Sequence, residues 1–162
     1  MAIKLELSTF NLNHSIVILK LDWGLWSLSQ VPPEHLATLA SCVMGSVGIM
    51  NVIGCDLVTI LDSLKCEFLV IDSQSLRREE TQALVRAMES GVEKVELRDE
   101  VILDMETLAE YSGQGVCREV KCYGDTAARS KDELMTWARS TNCCGISTAT
   151  IDGEFKCLFI EF

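Results

Sequence analysis

Apolar residues return at one set of offsets four times between positions 47 and 127. The first set is Val47, Met50, Val52, Cys55 and Leu57, and the second is Cys66, Leu69, Ile71, Gln74 and Leu76. The third is Val92, Val95, Leu97, Glu100 and Ile102, and the fourth is Cys117, Val120, Cys122, Asp125 and Ala127. A weaker copy follows (Cys143, Ile146, Thr148, Ile151), and another precedes them all (Ile16, Leu19, Leu21, Gly24, Trp26). Within each set the apolar positions alternate over a few residues, which predicts a short strand, and helical spacing fills the stretches between sets.

The elements follow in order. Residues 3–10 set Ile3, Leu5 and Leu7 against Lys4, Glu6 and Ser8 and predict a strand; residues 15–26 predict the next. Pro32-Pro33 opens a helix with an apolar stripe of Leu36, Leu39, Ala40 and Val43. A strand over 47–53 leads to a turn capped by Asp56, whose apolar face is Leu57, Ile60, Leu61 and Leu64. A strand over 67–71 precedes the clearest helix, 77–90, with Leu84, Ala87 and Met88 inward and Gly91 just past its end. After a strand over 92–97, Asp104 caps a short helix through Tyr111, ended by Gly113. A strand over 117–123 follows, then a capping box of Ser130 and Glu133 ahead of Leu134, Trp137 and Ala138. Residues 146–151 and 154–162 read as a hairpin around Asp152-Gly153, its last strand apolar on both faces and covering the end of the core.

Set starts are 26 residues apart from Cys66 to Val92, 25 to Cys117 and 26 to Cys143; Val47 to Cys66 is 19 and Ile16 to Val47 is 31. The offsets match the template L-x-x-L-x-L-x-x-N/C-x-L, and periods in the twenties belong to the same class. The chain therefore resembles the leucine-rich repeat family, of the kind with a helix on the convex side. The resemblance implies an α/β solenoid with a parallel concave sheet, convex helices and a C-terminal β-hairpin cap. It would fill residues 1–162 as a single domain of five to six irregular repeats, standing alone or as a piece of a longer protein. The match departs from the family at the ninth template position, usually Asn or Cys, whose side chain bonds the backbone of the turn. Only Cys55 conforms; Gln74, Glu100 and Asp125 stand in the other copies and keep hydrogen-bonding capacity.

Composition narrows the function. Twenty-four acidic side chains against 14 basic give a net charge of −10, which disfavours nucleic acid and anionic membranes and is compatible with a basic partner. Of the eight cysteines, Cys66, Cys117, Cys122 and Cys143 fall on core positions of the pattern, which favours buried reduced thiols over disulfides or a metal. No C-x-x-C occurs and only His14 and His35 could add imidazole, so no metal or cofactor is expected. The first ten residues do not read as a signal peptide, no apolar run reaches membrane-spanning length, and the cytoplasm is the expected location.

Enzymatic constellations are missing: there is no G-x-S-x-G, P-loop or H-E-x-x-H. The expectation is a non-catalytic protein-binding module; the alternative is a thiol-dependent enzyme on the same scaffold. Solenoids of this type bind partners on the concave sheet. Reading the template positions between the core sites gives columns of Ile18, Ile49, Phe68, Lys94 and Glu119; of Lys20, Asn51, Val70, Glu96 and Lys121; and of Asp22, Ile53, Asp72, Arg98 and Tyr123. The expected partner-binding residues are Trp23, Phe68, Val70, Asp72, Glu96, Arg98, Lys121 and Tyr123. The competing view is that Ile18, Ile49 and Phe68 are covered by the chain's own N-terminal segment. The resemblance implies analogues in the repeat tails of cytosolic immune sensors and of ubiquitin-ligase adaptors, where the repeats recognise and another domain acts.

Overall fold

The computed structural model describes residues 3–11, 14–21, 24–29, 33–50, 52, 56–152 and 154–162. Its strands are β1 (Ile3–Asn11), β2 (His14–Leu21), β3 (Gly24–Ser29), β4 (Ser46–Met50), β5 (Cys66–Asp72), β6 (Val92–Arg98), β7 (Glu119–Tyr123), β8 (Gly145–Ile151) and β9 (Glu154–Glu161). Its helices are α1 (Pro33–Ser41), α2 (Leu57–Ser63), α3 (Arg78–Ser90), α4 (Met105–Leu108) and α5 (Gly124–Ser140). Among the described residues the strands form one α/β sheet in the order β3-β2-β1-β4-β5-β6-β7-β9-β8.

The sheet is mixed. Its centre, β1 and β4 to β7, is parallel, and each parallel step is bridged by a helical crossover. Its ends are antiparallel: β1-β2-β3 is a meander, and β9 lies between β7 and β8. An all-parallel sheet is therefore not what the chain builds. The physical reason is connection length, because a parallel return needs a crossover of about a dozen residues or more. Two residues separate β1 from β2, and two separate β2 from β3, so the stretch 15–26 makes parts of two strands rather than one.

The core is a ladder on one face of the sheet. Val47, Leu69, Val95, Val120 and Ile160 stand side by side, and Ile49, Ile71, Leu97, Cys122 and Leu158 form the next rung. All ten are at most 2% exposed. They pack against Leu36 and Ala40 of α1, Leu57, Ile60 and Leu61 of α2, Leu84 and Met88 of α3, Leu108 of α4 and Trp137 of α5. The helices neighbour one another in chain order, so they make one layer over that face. Asp56 and Asp104 cap α2 and α4 as expected, accepting from the backbone N–H of Thr59 and Thr107.

Three corners repeat. Directly after β5, β6 and β7 stand Ser73, Asp99 and Gly124, each with a left-handed backbone, φ 48°, 50° and 61°. Inside the first of these corners, Gln74 is buried and bonds the backbone of Val52 in the preceding turn. The first-position thiols also repeat: Cys66 Sγ donates to the carbonyl of Phe68 at 3.3 Å and Cys117 Sγ to that of Glu119 at 3.4 Å.

Five further expectations need correction. In the first set the inward pair is Val47 and Ile49, in register with Leu69 and Ile71, whereas Met50 points to the other face and is 37% exposed. The strand that precedes β4 in the parallel run is β1, with Leu5 and Leu7 beside Val47 and Ile49, not the set beginning at Ile16. In the second corner, after β6, Ile102 pairs with Ser75 of the first, one residue further on than the strand register, so Val101 is buried and Ile102 is 60% exposed. Finally α5 begins at Gly124, which puts Ser130 inside the helix rather than at its cap. The predicted hairpin is present as β8 and β9, but β9 joins the sheet beside β7, so the set at Cys143 does not stack on the fourth.

Candidate interaction surface

The face of the sheet opposite the helices carries the residues between the rungs. Strand register places Phe68, Lys94, Glu119 and Glu161 in one row and Val70, Glu96, Lys121 and Phe159 in the next. Beyond these, Asp72 stands beside Arg98, and Tyr123 beside Cys157. Seven of the eight expected partner-binding residues are thus gathered on β5, β6 and β7: Phe68, Val70, Asp72, Glu96, Lys121 and Tyr123 half-buried, Arg98 exposed. Trp23 lies outside the described residues, as do Asn51 and Ile53. Ile49 does not belong to this face, since it is 1% exposed in the core. The apolar contribution of β4 is instead Met50, next to Asp72.

Charged and aromatic groups interlock on this surface. Lys94 Nζ sits 4.7 Å from the centre of the Phe68 ring, and Lys121 Nζ sits 5.3 Å from that of Phe159. Lys121 also pairs with Glu119 at 2.9 Å, and Arg98 Nη2 with Glu96 Oε2 at 2.7 Å. Tyr123 meets Phe159 edge-on, with ring centres 6.3 Å apart. Partial burial, and then the Glu96 carboxylate, push the Tyr123 hydroxyl above its ordinary value, so it stays a neutral donor. Its hydrogen bond to Glu119 pushes Lys121 up, so that lysine stays charged.

Phe159 is the residue that the repeat columns do not contain. It arrives from the hairpin strand inserted next to β7 and completes the aromatic end of the patch. The signal for it was the apolar character of both faces of the last strand, which fits a strand flanked on both sides better than one at an edge.

The four buried thiols are poor nucleophiles. Burial pushes Cys66 up to about 11 and Cys117 and Cys122 to about 12, and it also raises Cys157. An activated cysteine needs the opposite shift. The seven described cysteines are free, with Cys42 and Cys144 exposed. Among the described residues no three His, Cys, Asp or Glu side chains gather in a way that could hold a metal ion, and no helix is long and apolar enough to cross a membrane. Comparison with protein-family models, with curated proteins and with solved structures returns no match.

Proposed function

We propose that the chain is a leucine-rich-repeat-like module that binds a partner protein on the open face of its sheet. The reading rests on one observation above the others. Phe68, Val70, Glu96, Arg98, Lys121, Tyr123 and Phe159 form a contiguous, partly exposed patch on adjacent strands, with no helix over it among the described residues. Aromatic residues and arginine are the types that carry binding energy at protein interfaces. The recurring left-handed corners and the Gln74–Val52 pair support the repeat reading, because the chain leaves each of the three successive parallel strands β5, β6 and β7 through the same backbone turn. The net charge of −10 favours a basic partner. By analogy with repeat tails of cytosolic immune sensors and ubiquitin-ligase adaptors, the module recognises in the cytoplasm and leaves the action to another domain.

The test is quantitative co-purification from native cells with wild type, Arg98→Ala, Tyr123→Ala and, as a control on α3, Glu89→Ala. Partners recovered with wild type and Glu89→Ala but depleted with both open-face variants would support the proposal. Equal recovery with all four proteins, at unchanged melting temperature, would sink it.

A further inference from the structure

The sheet ends on an unusual strand. β8 has β9 as its strand neighbour on one side and stands last in the sheet order on the other. Exposed edge strands normally carry a guard: a charge, a proline, a bulge or a covering segment. Residues 145–151, Gly-Ile-Ser-Thr-Ala-Thr-Ile, contain no ionisable side chain and no proline. The register shift in this hairpin lies on the partner strand, where Lys156 is the extra residue, so β8 itself is unbulged. Nor do the described residues cover it: α5 packs on β7 and β9, residues 147–151 are all exposed, and Ile151 is 60% exposed. The outward N–H and C=O groups of β8 are therefore a ready template for another strand.

We infer that β8 pairs antiparallel with β8 of a second copy of this chain, around a two-fold axis through Thr148. In that register Thr148 lies opposite itself, Ile146 opposite Thr150, Ser147 opposite Ala149 and Gly145 opposite Ile151. Threonine and β-branched pairs are favourable cross-strand neighbours, and no like charges meet. Charge selects the place. Two copies that each carry −10 repel over their acidic surfaces, and β8 presents no carboxylate along its length. Even at the strand end, Asp152 would face Cys144 rather than another acid. Opposed residues in an antiparallel pair point to the same side, so the two helix layers lie together and the two open faces become continuous. A seven-residue ribbon buries less than the roughly 1,200 Å² of a stable interface, so the dimer is reversible and concentration-dependent.

Sedimentation velocity over a concentration series tests this with the full chain, Thr148→Lys, Thr148→Glu and an equimolar mixture of the two variants. Wild type should move from 18.0 kDa toward twice that mass as concentration rises. Each variant alone should stay nearer one copy, and the mixture should recover the dimer, because position 148 meets only itself in the proposed register. Wild type that remains at one copy throughout, or Thr148→Lys that dimerises as wild type does, would overturn the inference. Amide hydrogen exchange of wild type gives a reading independent of the variants. Exchange within β8 should slow at high concentration, and unchanged exchange there would count equally against it.

Discussion

Gln74 and Val52, 22 residues apart in the chain, are joined by a two-point hydrogen bond. The carboxamide Oε1 accepts from the Val52 N–H at 2.7 Å, and Nε2 donates to the Val52 carbonyl at 3.2 Å. Both residues are buried, so water does not replace these bonds when the side chain is removed. Gln74→Ala should therefore cost about 1–3 kcal/mol, the penalty of leaving buried backbone groups without partners. Gln74→Asn should recover little, because its amide is one methylene short of the same reach. Chemical denaturation of the two variants checks this, and a loss well below that range for Gln74→Ala would show that the pair does not hold the two turns together.

The corrected register of β4 makes a sharp contrast between adjacent residues. Ile49 is 1% exposed and stands beside Ile71, while Met50 is 37% exposed and stands beside Asp72. Ile49→Ala should destabilise by about 2–5 kcal/mol, whereas Met50→Ala should stay within about 0.5 kcal/mol. The reverse order in a urea titration would restore the register in which Met50 is the core residue.

The sequence made the α/β alternation and most of the rungs readable, and the reasons for the misses are local. In β6 and β7 the inward pairs, Val95 and Leu97, Val120 and Cys122, alternate with the charged Lys94, Glu96, Glu119 and Lys121, so period two has one solution; in β5 the run Phe68-Leu69-Val70-Ile71 is apolar at both parities, and its register came from the 26-residue offset to β6. In β4 the run Val47-Gly48-Ile49-Met50 is apolar or neutral at both parities, and only pairing with β5 decides which face is buried. The N-terminal meander was a matter of topology rather than of propensity: the strand signal was sound, but the two-residue separations had to be read as hairpins. Ile102 failed because its corner holds one residue more than the corner after β5. On the candidate surface, Phe68, Val70, Glu96 and Lys121 followed from spacing alone. Phe159 did not, because none of the spaced sets contains it and it enters the patch by strand insertion.

Buried thiols impose a pH dependence on the fold. Unfolded, a cysteine here titrates from an ordinary value of 9.0; folded, Cys66 is held at about 11 and Cys117 and Cys122 at about 12 by burial. Below pH 9 the thiols are protonated in both states and contribute no slope. Between pH 9 and about 11 the unfolded chain releases protons that the folded chain keeps, so stability falls as pH rises. Tyr111, also buried and raised from 10.0 to about 12, acts in the same direction from pH 10 upward. The melting temperature should therefore be flat with respect to these groups up to pH 9 and decline above it. Cys122→Val, which keeps an apolar side chain of similar bulk, should decline less steeply. A wild-type melting temperature that holds level from pH 8 to pH 11 would contradict the burial of these thiols.

Gly91 marks a close approach between the end of α3 and the link from α2 to β5. It ends α3, where its N–H donates to the carbonyl of Ala87 at 2.8 Å, and its own carbonyl accepts from Cys66 N at 3.0 Å. Its φ of −135° is open to any residue, so the requirement for glycine is one of space. A Cβ there would come within 2.1 Å of the carbonyl oxygen of Leu64, a backbone atom in the link from α2 to β5. No rotamer change relieves such a contact; the link and the end of α3 would have to separate. Both sides are committed: Leu64 is 2% exposed in the core, and Cys66 pairs with Val92 at the start of the β5–β6 ladder. Gly91→Ala should therefore destabilise by about 1–3 kcal/mol through overpacking, even though alanine is the better helix former. Gly145→Ala is the matched comparison, because its Cβ would meet only the flexible end of the Glu161 side chain at 3.1 Å. Thermal melts of the pair should show a clear loss for Gly91→Ala and a small one for Gly145→Ala. Equal melts would mean that the end of α3 and the link before β5 have more room than their backbone positions allow.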